Sequence, residues 1–441
     1  MTSARNTIFG MRVPEWLTRD IALLLSGRAM RSLSLGFLAV LVPVYLARAG
    51  YAATRVGILF TAGAVGSMLL TAAVGLLADR IGRKPILVVL GLLSAIAALT
   101  FALTESYPIL LIAAALGTIG RGGGAGSSGA FGPYYPAEQP LITEKVSDRD
   151  RTHVFGMVSV VGVLAGAGGA LMATVPTLLN RFFALPEIDG DRALFVCAAV
   201  LGLGMALVVL PVKEAAPPPR VPGKHRHLQT STKRVLWRFV VTNATNGLAV
   251  GMLGPVLVYW FHVRFGATAA ELGSLYFLAN LLAAPSNLMA ARVARRLGTV
   301  RAVVMLRLVA LLLMAAMALV PTFLVAAVLF LLRTQVNTMS GPMRQSFLMG
   351  MVAPEDRSTA AGFSNLPLQV LSSAGPTIAG QLMQSVWVSL PLELAAGLQA
   401  VNVWLYHVFF RDMRLPEELE ELSAVGAAEP HSEPHGESAD N

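Results

Sequence analysis

Cysteine is almost absent from this chain. Cys197 stands alone inside an apolar run, so neither an internal disulfide nor a thiolate metal site can form. Charge is scarce as well: Asp, Glu, Lys and Arg make up 13% of the 441 residues, against roughly 25% in soluble domains. Acid is the scarcer sign, with 25 Asp and Glu against 34 Lys and Arg and a net charge of +9. No glycine-rich loop runs into Lys-Ser or Lys-Thr, so a nucleotide does not drive the protein directly. No catalytic constellation is present, and an enzyme is not expected. His431 and His435 sit in a polar tail, where two histidines make a poor metal site; no metal and no cofactor are expected. The polar lead with Arg5, Arg12 and Arg19 precedes an apolar run too long for a cleavable signal peptide.

Apolar residues fill the space that charge leaves. They make up 55% of the chain, and mean hydropathy is +0.64. Runs of about 20 residues, enough to cross about 30 Å of hydrocarbon, recur along the sequence. Twelve are predicted: 21–47, 56–78, 85–104, 108–133, 153–175, 192–211, 236–262, 271–291, 300–319, 322–348, 359–384 and 388–410. In lipid every backbone polar group must be satisfied within its segment, so these are helices. The expected fold is an all-α polytopic membrane protein of twelve transmembrane helices.

Basic residues gather in alternate loops: Arg80, Arg83 and Lys84; Lys145, Arg149 and Arg151; Lys213 to Arg234; Arg292 to Arg301; Arg411 and Arg414. Intervening loops carry few, such as Arg48, Arg55 and Arg264. This asymmetry predicts a multi-pass protein of the cytoplasmic (inner or plasma) membrane with both termini in the cytoplasm. The charges line a membrane face and form no basic domain, so the expected partner is the lipid bilayer and not nucleic acid.

A proline-rich, basic stretch divides the chain. The predicted organisation is a lead at 1–20, a six-helix bundle at 21–211, a cytoplasmic linker at 212–235, a second bundle at 236–411 and an acidic, disordered tail at 412–441. Three internal echoes support two pseudo-symmetric halves. RAMRSLSLG at 28–36 matches NATNGLAVG at 243–251, setting Arg28, Arg31 and Gly36 on Asn243, Asn246 and Gly251. The turn at 75–85 returns in degenerate form at 291–301, with Gly298 on Gly82 and Arg295 on Asp79. PAEQPL at 136–141 matches PMRQSF at 342–347.

Charges inside the spans are the candidate functional residues. Arg28 and Arg31, three apart, share a face of the first helix; Arg121 and Arg333 lie near the middle of the fourth and tenth. Each arginine at a bilayer centre costs at least about 2.5–3.5 kcal/mol, so a hydrated cavity or a partner is expected. Carboxylates are few: Glu271 and Glu393 near helix ends and Glu138 at the inner end of the fourth. An electropositive cavity follows. Arg28, about 10 Å along its helix, could instead snorkel to the cytoplasmic face. Asn243 and Asn246 either face the cavity or bond neighbouring helices. The stretch GRGGGAGSSGAFGPYYP at 120–136 suits a flexing wall or a close helix seam.

One loop is more specific than the rest. GLLADRIGRKP at 75–85 places Asp79, Arg80, Arg83 and Lys84 in a sharp turn between two apolar runs, with Gly75 and Gly82 permitting close approach and an unusual backbone. Spacing and residue types resemble the signature loop between the second and third helices of the major facilitator superfamily. That resemblance covers about residues 20–410. It implies that helices 1, 4, 7 and 10 line a central cavity, and that Asp79 latches onto the start of helix 11, near Ser358 and Thr359, when the cytoplasmic side closes. SAGPTIAG at 373–380 resembles the Gly-Pro element of antiporter members, but on helix 11; helix 5 carries GVLAGAGG without the proline.

The expected function is secondary transport of a small-molecule substrate by alternating access, with a monomer as the working unit. A small organic anion is favoured, held by Arg31, Arg121 and Arg333 with Arg28, Asn243 and Asn246, because the guanidinium fork suits carboxylate and phosphate. The alternative is proton-coupled efflux of hydrophobic or multidrug cargo, with Glu138 taking the proton or a counter-transported solute in its place. A receptor or scaffold without transport is the third reading.

Overall fold

The computed structural model describes residues 7–8, 11–12, 16–117, 132–146, 151–214, 230–352, 357–411 and 413. Apart from a two-residue strand pair (β1, Thr7–Ile8; β2, Met11–Arg12), the described elements are helices. The first half holds α1 (Arg19–Arg48), α2 (Ala53–Ile81), α3 (Arg83–Leu103), α4 (Tyr107–Gly117), α5 (Tyr135–Thr143), α6 (Arg151–Met172), α7 (Val175–Phe183) and α8 (Glu187–Val209). The second holds α9 (Thr230–Phe265), α10 (Ala269–Leu297), α11 (Thr299–Leu319), α12 (Phe323–Met351), α13 (Arg357–Ser385) and α14 (Leu390–Phe410).

Every predicted span carries a helix; in the fourth, α4 covers the start, residues 118–131 lie outside the described ones, and α5 begins at Tyr135, past the predicted end at 133. Seven described helical stretches, one of them α6 running on into α7, are long and apolar enough to cross a membrane. Several boundaries differ from the sequence expectation: α8 begins at Glu187 and not at 192, and α10 runs to Leu297 and not to 291. α9 begins at Thr230, inside the stretch read as linker, and the fifth span continues past a break at Ala173–Thr174 into α7. α9 bends by 42° between Gly254 and Val256, where Pro255 withholds an amide donor from the ladder.

Local chemistry sets the turns. Gly82, at φ 102°, ends α2 and starts α3; Gly298, at φ 76°, does the same between α10 and α11. Side chains rarely adopt such φ values, so glycine at both turns is a backbone requirement repeated in each half. Thr268 and Glu271 cap α10 reciprocally, which satisfies two of its orphan amides.

Three buried apolar clusters organise the helices. One spans both halves, from Phe37–Leu46 and Val56–Phe60 to Leu253–Phe261, Leu272 and Ala379. The other two belong to single halves: Ile21, Val74, Leu87, Leu141 and Val209 in the first, and Phe239, Val303, Phe347 and Phe410 in the second. The shared core lies toward the face of the 49–52 and 266–268 turns. Each private core lies toward the face of the 82 and 298 turns, here called the basic face.

Contacts between the halves follow that division. Thr377 Oγ1 lies 2.7 Å from Thr61 Oγ1, and its backbone amide donates to the same hydroxyl at 3.2 Å. A methyl group on Gly57 would overlap the Pro376 carbonyl, and one on Gly380 the Ala53 carbonyl. Gly273 of α10 similarly packs on Ala170 of α6. Among the described residues the halves are therefore sealed away from the basic face and have separate cores toward it. Leucines such as Leu103 and Leu319 remain exposed on the outside, as an exterior facing lipid requires.

Candidate functional site

The first half builds its charged cluster across 110 residues of sequence. Arg28 and Arg31, three apart on α1, point at Glu138 in the first turn of α5. Arg28 Nη1 donates to both carboxylate oxygens, at 3.4 and 3.2 Å, and Arg31 Nη2 lies 3.0 Å from Oε2. All three are buried, at 2%, 8% and 3% exposure. The Arg31 guanidinium also stacks 4.5 Å from the centroid of Tyr134, whose hydroxyl donates to the Leu90 carbonyl at 2.8 Å and sits 2.8 Å from Ser94 Oγ. Such stacking contributes about 0.5–2 kcal/mol. One carboxylate thus serves two cations, and Arg31 Nη1 keeps a donor with no hydrogen-bond partner. Snorkelling of Arg28 to the surface does not occur. Glu138, the protonation site expected under the efflux alternative, is an ion-pair partner of both arginines in this conformation.

The second half repeats the contact with its charges changed. Asn243, the counterpart of Arg28, accepts a hydrogen bond from Arg344 of α12, the counterpart of Glu138. The matched sequences therefore make matched helix contacts, Arg–Glu in one bundle and Asn–Arg in the other. Asn246, like Asn243, is buried on α9. Beside them Arg307 of α11, only 2% exposed, donates to Asn402 of α14, which in turn donates to Thr245 Oγ1 at 2.9 Å. Sequence reasoning named neither Arg307 nor Arg344. The available signal was the lone arginine in AVVMLRLVALLLM at 302–314 and the alignment of Glu138 with Arg344.

Arg333 lies about 15 Å along α12, near its middle. It is half-buried and within electrostatic reach of Tyr276 on α10, with no described carboxylate at ion-pair distance. Arg121 lies outside the described residues.

The 75–85 loop is anchored by acids from elsewhere in its own half. Glu214, just after α8, accepts the backbone amides of Arg83 at 2.6 Å and Lys84 at 3.1 Å, which caps the start of α3 with a carboxylate. The Arg83 side chain pairs with Glu144, beside α5. Arg83, Gln139, Pro140, Thr143, Glu144 and Phe155 line a cleft of about 400 Å³. Arg80 is exposed, and no described atom lies within 4 Å of a Cβ built on Gly75. The side chains of Asp79, Ser358 and Thr359 lie outside the described part.

Helix order, twin bundles and the anchored loop agree with a comparison by sequence. The Major Facilitator Superfamily profile matches residues 24–376. The chain belongs to the Major Facilitator Superfamily. It is a multi-pass membrane transporter and not an enzyme. This superfamily member is 22% identical over 418 residues to the Saccharomyces cerevisiae membrane protein YJR124C, whose own function is uncharacterised, covering 86% of this chain and 92% of that one. It is 26% identical over 156 residues to the quinolone resistance protein NorA of Staphylococcus aureus, which is 34% of this chain and 38% of NorA. Among solved structures, a mutant of the nucleoside transporter NupG superposes with a TM-score of 0.70 at 12% identity, over 89% of this chain and all of that one. A bacterial homologue of the iron transporter ferroportin, inward-facing, superposes with a TM-score of 0.70 at 14% identity, covering 89% of this chain and 99% of its own. The human organic anion transporter MFSD10 gives 0.57 at 17% identity, over 89% of this chain and its full length. At these identities the superpositions establish the fold alone.

Proposed function

We propose that this transporter moves a small organic anion across the membrane by alternating access, and that the seal described above is one end of that cycle. The observation that carries the reading is an imbalance of buried charge. Arg28, Arg31, Arg307, Arg333 and Arg344 lie within the spans, and among the described residues Glu138 alone answers them. Unbalanced guanidinium groups away from water are costly, and a cargo carboxylate or phosphate offsets that cost. Arg31, with its unbonded Nη1, and Arg333 are the proposed contacts, joined by Arg121 on sequence grounds. Arg28, Asn243 and Asn246 complete the polar lining. The basic loops support placing the basic face, both termini included, in the cytoplasm of the inner or plasma membrane.

The test is flux into proteoliposomes of the purified chain, with acidic, neutral and basic compound sets. Saturable movement of acidic solutes that falls at least tenfold in Arg31→Gln and Arg333→Gln is the expected outcome. Transport confined to neutral or basic compounds, or unchanged in both variants, overturns it.

A second reading rests on Glu138 itself. A carboxylate shared by two arginines can act as a coupling site if proton uptake frees them, and the likeness to NorA favours drug efflux. Export driven by an imposed pH gradient, and lost in Glu138→Gln, would select it over the anion reading.

A further inference from the structure

The second bundle holds a cluster whose arginines the transport reading counts as buried charge but gives no ligand. Arg307 spends Nη1 on Asn402, but its Nε has no partner. Arg344 spends Nη2 on Asn243, and its Nε is likewise unsatisfied. Tyr406, fully buried on α14, has an unpartnered hydroxyl, and its ring centroid lies 6.0 Å from the Arg307 guanidinium. No described carboxylate pairs with either arginine. Buried donors are ordinarily satisfied, and buried charges are ordinarily paired.

The first bundle sharpens the contrast. At the matching helix contact Glu138 supplies the anion that Arg28 and Arg31 need, whereas the second bundle has an amide and a further cation there. Buried aromatic rings flank it: Tyr406 and Phe410 rings lie 4.7 Å apart, and Phe239 and Phe410 rings 4.8 Å apart. Low local dielectric strengthens any ion pair formed against that wall.

We propose that α9, α11, α12 and α14 enclose a binding site for one small oxyanion, a carboxylate or phosphate group, gripped by Arg307, Arg344 and Tyr406. Three unspent donors and two positive charges match such a group in number and sign. The site goes beyond the transport proposal, because an anion seated here balances the second bundle whether or not it is cargo. Its source is either a free solute or an acidic lipid headgroup.

Thermal unfolding of the detergent-purified full chain tests this at constant ionic strength. Inorganic phosphate or acetate replaces chloride in two arms, and phosphatidylglycerol is added in a third. The expected result is a saturable rise of several degrees in at least one arm; a rise in the third alone identifies a headgroup. Arg307→Gln and Arg344→Gln should abolish the rise, while Arg333→Gln keeps it. Asn243→Asp retains both arginines and supplies a built-in carboxylate at the atom that already accepts from Arg344. That variant should unfold several degrees higher without added anion and lose the response. No saturable rise in any arm, a rise surviving in both arginine variants, or a lower midpoint in Asn243→Asp overturns the site. None of these readouts involves flux, so failure here and failure of the cargo assignment remain separable.

Discussion

At the scale of single residues, Glu138 decides the most. Removing its charge takes away the carboxylate that Arg28 and Arg31 share, and breaking such a buried pair costs about 3–5 kcal/mol. Glu138→Gln is therefore expected to lower the thermal midpoint strongly, while Glu138→Gln with Arg28→Gln recovers part of the loss. A double-mutant cycle showing no coupling would contradict the geometry. Arg48 plays a related part at the other end of α1: Nη1 reaches Asp191 at 3.0 Å, and its second terminal nitrogen pairs with Glu187. Because Asp191 is fully buried, Arg48→Ala should cost about 3 kcal/mol, and Asp191→Asn in that background should restore some of it. The arginines of α1 and Glu138 were each legible in the sequence, and their pairing was not. Periodicity places Arg28 and Arg31 on one face, but only packing brings a residue 110 positions away into reach. Arg307 is hard to read for a similar reason: it follows closely on the loop arginines Arg295, Arg296 and Arg301, and its neighbour Arg344 belongs to another helix.

At the scale of elements, hydropathy gave the helices and small residues gave their closest contacts. Runs of apolar residues must be helical in lipid, so the span limits could be read within a few residues. The departures at Thr230, α7, α8 and α10 fall where polar or broken sequence still extends a helix. The seam between α2 and α13 could not be read at all, because glycine spacing alone does not say which helix approaches. That seam now yields an expectation. A valine at Gly57 or Gly380 collides with the backbone across the interface, so the sealed conformation should be lost. Transport should then fall at least tenfold, while the protein still inserts and purifies. Thr61→Ala removes the shared hydroxyl without adding bulk, and a milder loss is expected there. Equal effects from both changes would place the seam's importance in its hydrogen bonds and not in close approach.

At the scale of the whole molecule, one shared core and two private ones are the arrangement that the proposed alternating access needs. With Cys197 replaced by alanine, spin labels can be placed at exposed Arg80 and Arg296, which lie on opposite bundles at the basic face. Their separation should shorten when a cargo that drives closure is added. A distance distribution unchanged by every cargo tested would contradict alternating access. The superfamily was readable from the 75–85 loop, since its turn chemistry is local and its spacing specific. Cargo was not, because it depends on how many charges from different helices converge, and that count rests on tertiary packing.

The private cores carry one more consequence, for biogenesis. Each bundle closes its own apolar interior near the basic face, so covalent continuity between Glu214 and Thr230 is not what joins them. Two separately translated fragments, divided in that stretch, should find each other in the bilayer through the α2–α13 seam and assemble into a working whole.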